Sequence, residues 1–268
     1  MQRERDEAVA PPASNPNNRH YGDTMRFSLF LIFRDPTRPA ARLGETAMNA
    51  LIEIVRATPR LARAHLYTPG QADDPFLNDG PPPQLALQLY FAELPDLEAA
   101  CGRAGHLQAL AEVPGLKDAA GVQQAMLVRS YAVPDPLIRG TPHCTSHCTY
   151  LVAYEGPAED EHAWHAHYLA HHPQLMLRFP GIREVEIYTR LDWVSFLPWR
   201  RAGDMQRNKV AFDSPAAMTE ALASPVRRLI RADFATFPPY SGAVTHFPMA
   251  TQIVDPAVNR SRAGPFVK

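Results

Sequence analysis

The chain has 268 residues, 46% of them hydrophobic and 21% charged, with a formal net charge of −1. This suits one or two ordinary globular domains, and no basic run is long enough to make nucleic acid or an anionic membrane a principal partner. No 18-residue apolar stretch is present, and the charged start Met1–Glu7 has no apolar stretch after it; with only three cysteines (Cys101, Cys144 and Cys148), the expected setting is the reducing cytoplasm.

Residues 1–24 carry Pro11, Pro12 and Pro16 with little to bury, and read as a disordered or draped arm. Hydrophobic periodicity then predicts a strand over 26–33, a helix over 42–57, strands over 62–68 and 84–92, a helix over 96–111 and a strand over 122–131. Pro134, Pro136 and Pro142 mark a stiff, extended joint. Beyond it, Cys148–Tyr154 alternates as a strand. Glu159–Leu169 reads as a helix, with a break near His172 because Pro173 cannot donate an amide inside it. Strands follow over Ile182–Thr189 and Asn208–Phe212. Ser214-Pro215 starts a helix, Ser224-Pro225 restarts it as far as Asp233, and Val244–Met249 is a last strand whose Pro248 suits an edge.

The two stretches are one pattern written twice. Tyr67 and Tyr188 stand 121 positions apart, and the same shift lays Phe27–Leu31 on Cys148–Val152 and Gly121 on Gly242. A duplication this long means two modules rather than a solenoid. The order βαββαβ is a split βαβ unit, and its uncovered sheet face must pack on something. The expected fold is α+β, two tandem ferredoxin-like βαββαβ units packed sheet to sheet in the manner of a dimeric α/β-barrel. The expected organisation is an arm (1–24), a degenerate unit (25–133), a linker (134–147), a second unit (148–254) holding the candidate active site, and a tail (255–268).

The second unit contains Trp164-His165-Ala166-His167-Tyr168-Leu169-Ala170-His171-His172-Pro173, then Phe179-Pro180-Gly181-Ile182 and later Ala232-Asp233-Phe234. This arrangement resembles the EthD family, which belongs to the dimeric α/β-barrel group of ferredoxin-like folds. The resemblance covers most of 148–250; the first unit matches only in pattern. It implies one functional histidine on this helix, either His172 or His171. It also implies a role in breakdown of organic compounds or in aromatic polyketide processing.

Trp164, Tyr168, His171 or His172, and Leu175 fall on one side of that helix, where the first unit has Leu43, Ala47, Ala50 or Leu51, and Ile54. A buried imidazole needs a partner, and it titrates near neutral pH, which suits acid/base work. His246 replaces Ala125 on the last strand and is a further catalytic candidate, expected near Tyr150 and Tyr154. Glu186 and Tyr188 share one face of a strand with Glu184, a pattern that also describes a solvated face. Trp193, with Phe196 and Trp199, lies in a long loop of the lid type. Substrate contacts are therefore expected from Trp164, Tyr168, Tyr150, Tyr154, Glu186, Tyr188 and Trp193, with the larger cavity in the second unit. His167 and His171 are spaced like paired zinc ligands, as are His143-Cys144 and His147-Cys148, but without a further ligand pair the expectation is no metal.

No phosphate loop, nucleotide fingerprint or nucleophile elbow is visible. The expected function is a cofactor-independent enzyme, a lyase, isomerase or decarboxylase, acting on a small apolar or aromatic molecule, with homodimerisation open. One alternative is haem held by His171 or His172. Another is a non-catalytic small-molecule binding or assembly protein.

Overall fold

A computed structural model describes residues 25–35, 37–116, 119–137 and 146–257. The proposed arm, most of the linker including His143 and Cys144, and most of the tail lie outside the described residues. The strands are β1 (Phe27–Arg34), β2 (Leu61–Pro69), β3 (Leu85–Phe91), β4 (Ala120–Tyr131), β5 (Ser146–Tyr154), β6 (Glu184–Arg190), the two-residue β7 (Arg200–Arg201), β8 (Gln206–Phe212) and β9 (Val244–Val254). The helices are α1 (Glu45–Arg56), α2 (Leu94–Cys101), α3 (Glu161–Met176), α4 (Pro215–Ala223) and α5 (Pro225–Phe234), with a 3-10 segment over His106–Glu112.

Eight antiparallel strands close into a barrel in the order β1-β3-β2-β9-β5-β8-β6-β4, with β4 returning to β1. Residues 25–131 contribute β4-β1-β3-β2, and residues 146–254 contribute the same order as β9-β5-β8-β6. The halves are sewn edge to edge. β2 pairs with β9 from Ala64↔Val254 to Pro69↔Met249, and β4 pairs with β6 from Met126↔Arg190 to Tyr131↔Val185. This corrects the expectation of two separate sheets stacked face to face: the edges join, and closure leaves no strand of the eight unpaired.

Because strand side chains alternate, each strand has one face in the barrel and one under the helices. Outside the barrel, Leu29, Leu31, Leu87 and Leu89 pack under α1 and α2 with Leu51 and Val55. Val185, Ile187, Val210 and Phe212 pack under α3 to α5 with Trp164, Met176, Met218 and Ile230. Inside, Phe30, Met126 and Tyr188 form one apolar patch, and Tyr67, Ala86, Phe247 and Met249 another.

Three local expectations change. The helix expected over 96–111 stops at Cys101 and resumes as 3-10 turns at His106; between them the chain passes so close to the helix end that a Cβ on Gly105 would lie 2.3 Å from the Ala100 carbonyl oxygen, so only glycine fits. Helix α3 runs through Pro173 to Met176. The missing amide falls near the helix end, and the turns around it are anchored by buried Tyr168, His172 and Met176. Pro248 is not on an edge strand, yet the edge reasoning survives locally. Its pairing neighbour β2 ends at Pro69, and the Pro248 carbonyl accepts the amide of Gly70 (3.0 Å) where the β2–β9 ladder gives out. Ser214 caps α4 as expected, its hydroxyl accepting from the Ala217 amide.

Candidate functional site

The long α3 is held by its cap, the Asp160 carboxylate accepting from the Ala163 amide, and presents Trp164, Tyr168, His172 and Met176 to the sheet. His172 is 3% exposed, whereas its neighbour His171 is exposed and makes a local contact with the His167 carbonyl oxygen (3.0 Å). The two rings diverge as adjacent helical positions must. His172 Nδ1 lies 2.7 Å from Asp233 Oδ2, a carboxylate delivered by the last turn of α5. Burial lowers the His172 pKa, with Asp233 opposing it, and the hydrogen bond with His172 holds Asp233 below the usual carboxylate range. The ring is therefore a neutral imidazole at neutral pH. Nδ1–H donates to Asp233, and Nε2 keeps its lone pair.

His172 borders a cavity of about 30 Å³ lined also by Tyr150, Tyr154, Asn208, Arg227 and His246. Strand alternation accounts for this set: Tyr150, Tyr154, Asn208 and His246 all sit on the helix-facing side of their strands. The cavity is closed from the first half of the chain, by residues 70–84 between β2 and β3. Asp74 accepts from the Tyr150 hydroxyl (2.5 Å) and from Arg227 Nη2 (2.7 Å). Asp79 accepts from the His246 amide (2.7 Å) and meets His246 Nδ1 (2.8 Å). Burial favours neutral Asp74, but the bonds from Tyr150, the Phe76 amide and Arg227 prevail and keep it ionised. Burial, with the Asp74 charge beside it, keeps the Tyr150 phenol protonated. Two buried polar atoms here have no hydrogen-bond partner among the described residues: Arg227 Nε, a donor, and Asn208 Oδ1, an acceptor.

The structure thus brings together His172, His246, Tyr150 and Tyr154. It separates the other sequence candidates. Trp164 and Tyr168 are fully buried and stack on each other (centroids 5.2 Å apart), with Tyr168 accepting from Asn208 Nδ2 at 2.6 Å. They form the wall behind the site rather than the lining. Glu186 and Tyr188 lie on the opposite face of their strand, inside the barrel, and Trp193 packs in the apolar core of the first half. The cavity itself is small. Larger clefts lie at the two barrel mouths (about 230 Å³ each) and beside Leu43 (about 360 Å³), which corrects the expectation that the second unit holds the largest space.

Inside the barrel is a second polar centre. Lys209 is completely buried. Its Nζ lies 2.9 Å from Glu184 Oε2, 3.2 Å from Glu186 Oε2, 2.8 Å from the Tyr90 hydroxyl and 3.0 Å from His65 Nδ1. Glu186 also accepts from Tyr188 (2.5 Å), Tyr90 (2.6 Å) and Ser130 (2.9 Å). Burial pushes both carboxyls up. At Glu186 the Lys209 charge and three hydroxyl donors overcome it, while Glu184 ends above the usual range. Burial and the Lys209 charge hold His65 far below its ordinary value, so it stays neutral.

No protein-family model matches the chain, and no curated protein sequence matches it. Among solved structures, an anthrone oxidase-like protein is similar with a TM-score of 0.55 and 13% identity, over 87% of this chain and 94% of that one. A candidate monooxygenase from Fusobacterium nucleatum has a TM-score of 0.51 and 8% identity, over 88% and 94%. An ethyl tert-butyl ether D (EthD) family protein from Bacillus halodurans is 18% identical over 37% of this chain and 96% of its own, but its TM-score of 0.30 carries no weight. These likenesses place the fold among the α/β-barrel proteins, without singling out the EthD family. No helix among the described residues is long and apolar enough to cross a membrane.

Proposed function

We propose that the chain is a fused pair of ferredoxin-like units and a cofactor-independent enzyme of small-molecule metabolism, with His172 as general base and acid. One observation carries this reading. At three positions related by the 121-residue repeat, the first half buries Leu29, Leu51 and Leu87, while the second places Tyr150, His172 and Asn208 around one cavity, which β9 completes with His246. Three polar groups replacing apolar ones in a core is costly unless they have a use.

Asp233 fixes the His172 tautomer and stabilises the imidazolium formed when Nε2 takes a proton. A substrate carbonyl whose α-carbon faces Nε2 would gain negative charge on oxygen, and the unpartnered Arg227 Nε–H is a donor for that oxyanion. Return of the proton to a different carbon gives isomerisation, and loss of a β-leaving group gives a lyase; in a β-keto acid the C–CO2 bond would break instead of the C–H bond, its electron pair forming the same enolate, which a protonated His172 would then protonate. Tyr150 and Tyr154 on the cavity lining favour a flat, largely apolar substrate. Entry requires the 70–84 segment to lift, since about 30 Å³ holds little more than one water. The barrel closes within one chain, so a homodimer is not needed to complete it.

Haem is the second reading, and the donor chemistry suits it. A histidine with Nδ1 on a carboxylate offers Nε2 to a metal. The cavity of about 30 Å³ would have to open for haem as it would for an aromatic substrate. Adding haem to purified protein separates the readings: a ligation-shifted visible band lost in His172→Ala would favour haem, and no such band would favour the cofactor-independent enzyme.

The test is deuterium exchange at acidic C–H positions of small aromatic ketones, lactones and acids in D2O, followed by NMR, with oxygen uptake measured in parallel. His172→Ala should lower the enzyme-catalysed rate by about 10²–10⁴-fold, and His162→Ala on the same helix should not. Ligand binding that survives His172→Ala with no exchange catalysed by either protein would favour a carrier.

A further inference from the structure

On the outer flank of α3, away from the cavity, His167 and His171 stand one turn apart with ring centroids separated by 4.6 Å. The sequence offers this pair but no third ligand. The fold supplies it: Asp233, on α5, brings its carboxylate to the same place, so that one ligand atom from each of the three lies within 4.8 Å of the others. We propose that His167, His171 and Asp233 form a binding site for a divalent transition-metal ion of the zinc class.

The donor set is two imidazoles and one carboxylate, which suits zinc, cobalt or nickel better than the oxygen-seeking magnesium or calcium. The tautomer of each ring follows from its hydrogen bonds. His171 Nδ1 lies 3.0 Å from the His167 carbonyl oxygen, which can only accept, so Nδ1 carries the proton and Nε2 the lone pair. The Thr236 hydroxyl donates to the Asp233 carbonyl oxygen (2.7 Å) and therefore accepts from His167 Nε2 (3.0 Å), leaving the other His167 nitrogen with its lone pair. Each imidazole has one nitrogen tied to a protein oxygen and one free, the arrangement that orients metal-binding histidines.

Ligands of tetrahedral zinc lie about 3.3 Å apart, so the three groups must close by about 1.5 Å at most. His171 is exposed and free to swing by that amount. Three protein ligands leave a fourth position to water, as in open rather than structural sites. Asp233 already binds His172 on the cavity side, so its carboxylate would bridge the metal and the buried imidazole.

The experiment is titration of chelator-stripped full-length protein with zinc by calorimetry, and with cobalt(II) by its visible absorption. Wild type should bind one equivalent with cobalt bands of low coordination number. His167→Ala and His171→Ala should each weaken binding at least about tenfold with unchanged melting of the apo protein. His162→Ala, one turn and more away on the same helix, should bind as wild type. Equal affinity in wild type and His171→Ala, or an equal loss in His162→Ala, would overturn the site and leave only adventitious binding to a histidine-rich helix. The readout is binding alone, so it stands or falls apart from the His172 chemistry.

Discussion

The two halves exchange their long loops, and the exchange has opposite results. The loop after β6 sends Trp193, Leu197 and Trp199 into the helix–sheet core of the first half, where Trp199 meets Phe33 edge-on (centroids 4.9 Å apart). It comes so close that a Cβ on Gly121 would stand 2.2 Å from the Trp199 ring. The loop after β2 sends Asp74 and Asp79 to the second half, where they bind Tyr150, Arg227 and His246. One loop is an apolar plug and the other is a polar cap. The first half is thereby a filled core that contributes stability, and the second keeps buried polar groups that a core would not tolerate. The barrel interior shows the same contrast between halves. At repeat-related positions Arg63 and His65 of the first half correspond to Glu184 and Glu186 of the second, and Gln88 corresponds to Lys209. The second half brings the buried charges Glu184, Glu186 and Lys209, and the first half surrounds them with His65, Gln88 and Tyr90.

The largest effect is expected at that shared centre. Lys209→Met would leave Glu184 and Glu186 buried beside each other without their cation. Breaking a buried ion pair from one side costs about 3–5 kcal/mol, which chemical denaturation should register. A loss under about 1 kcal/mol would mean that water already reaches the pair. Gln88→Met, at the repeat-related position, removes only the acceptor for Tyr67 and should cost about 1–3 kcal/mol.

Reciprocal exchange on the helices tests the functional asymmetry. Leu51→His places an imidazole where no Asp233 waits, and an unpaired buried polar group costs about 1–3 kcal/mol. His172→Leu gives the second half the apolar side chain of the first, and should cost less than Leu51→His because Asp233 is exposed enough to find water. Loss of activity with little loss of stability in His172→Leu would sharpen the comparison. The reverse order of stability costs would break it.

This asymmetry was legible in the sequence because the repeat aligns Leu51 with His172, and helical periodicity puts residue 172 on the sheet side once Trp164 is; the alignment of Ala125 with His246 fails by two residues, since Leu29 faces Ala125 whereas Tyr150 faces Pro248. What the sequence hid was long-range. Asp233 stood within a recognised segment, but its pairing with His172 depends on how α5 packs on α3. Arg227, Asp74 and Asp79 come from helix and loop positions with no periodic signal. The alternation of Glu184, Glu186 and Tyr188 suits a solvated face on an open sheet, and closure of the barrel turns that face inward. Lys209 gave one unused signal, a lysine among Val210, Ala211 and Phe212 in a strand otherwise fit for burial.

Acid should act on the second half first. His172 and His246 both have pKa values lowered by burial, against the pull of Asp233 and Asp79. Above about pH 6.5 both rings are neutral folded or unfolded. Below it the unfolded chain takes up protons that the folded chain refuses, so stability falls with pH until the folded values are reached, by up to about 1.4 kcal/mol per pH unit for each ring. Within the barrel His147, held at about 3, extends the same loss to lower pH. Hydrogen exchange at pH 5 against pH 7, corrected for intrinsic rates, should speed up in α3 and β9 more than in α1 and β4. His172→Leu should remove part of that difference. Uniform acceleration across both halves would assign the acid sensitivity to the barrel centre instead.

The smallest effect concerns plug against cap. Asp79→Asn keeps an oxygen for the His246 amide but loses the charge facing its ring, and Asp79 is partly exposed, so the stability change should stay within about 1 kcal/mol. Its consequence should be local opening. Residues 70–84 are held to the second half by the Gly70 amide on the Pro248 carbonyl at their start and beyond it by bonds to the Asp74 and Asp79 carboxylates and the Asp73 amide on Thr219, while residues 193–199 are anchored by three buried apolar side chains and by the Phe196 amide on the Cys101 carbonyl. Local opening free energy follows such anchoring. In hydrogen exchange, segment 70–84 should therefore open more readily than 193–199 in the wild type. Asp79→Asn should widen that gap without altering 193–199. Equal protection of the two loops would make the acidic segment a second plug, and the pocket beneath it would have no entrance on that side.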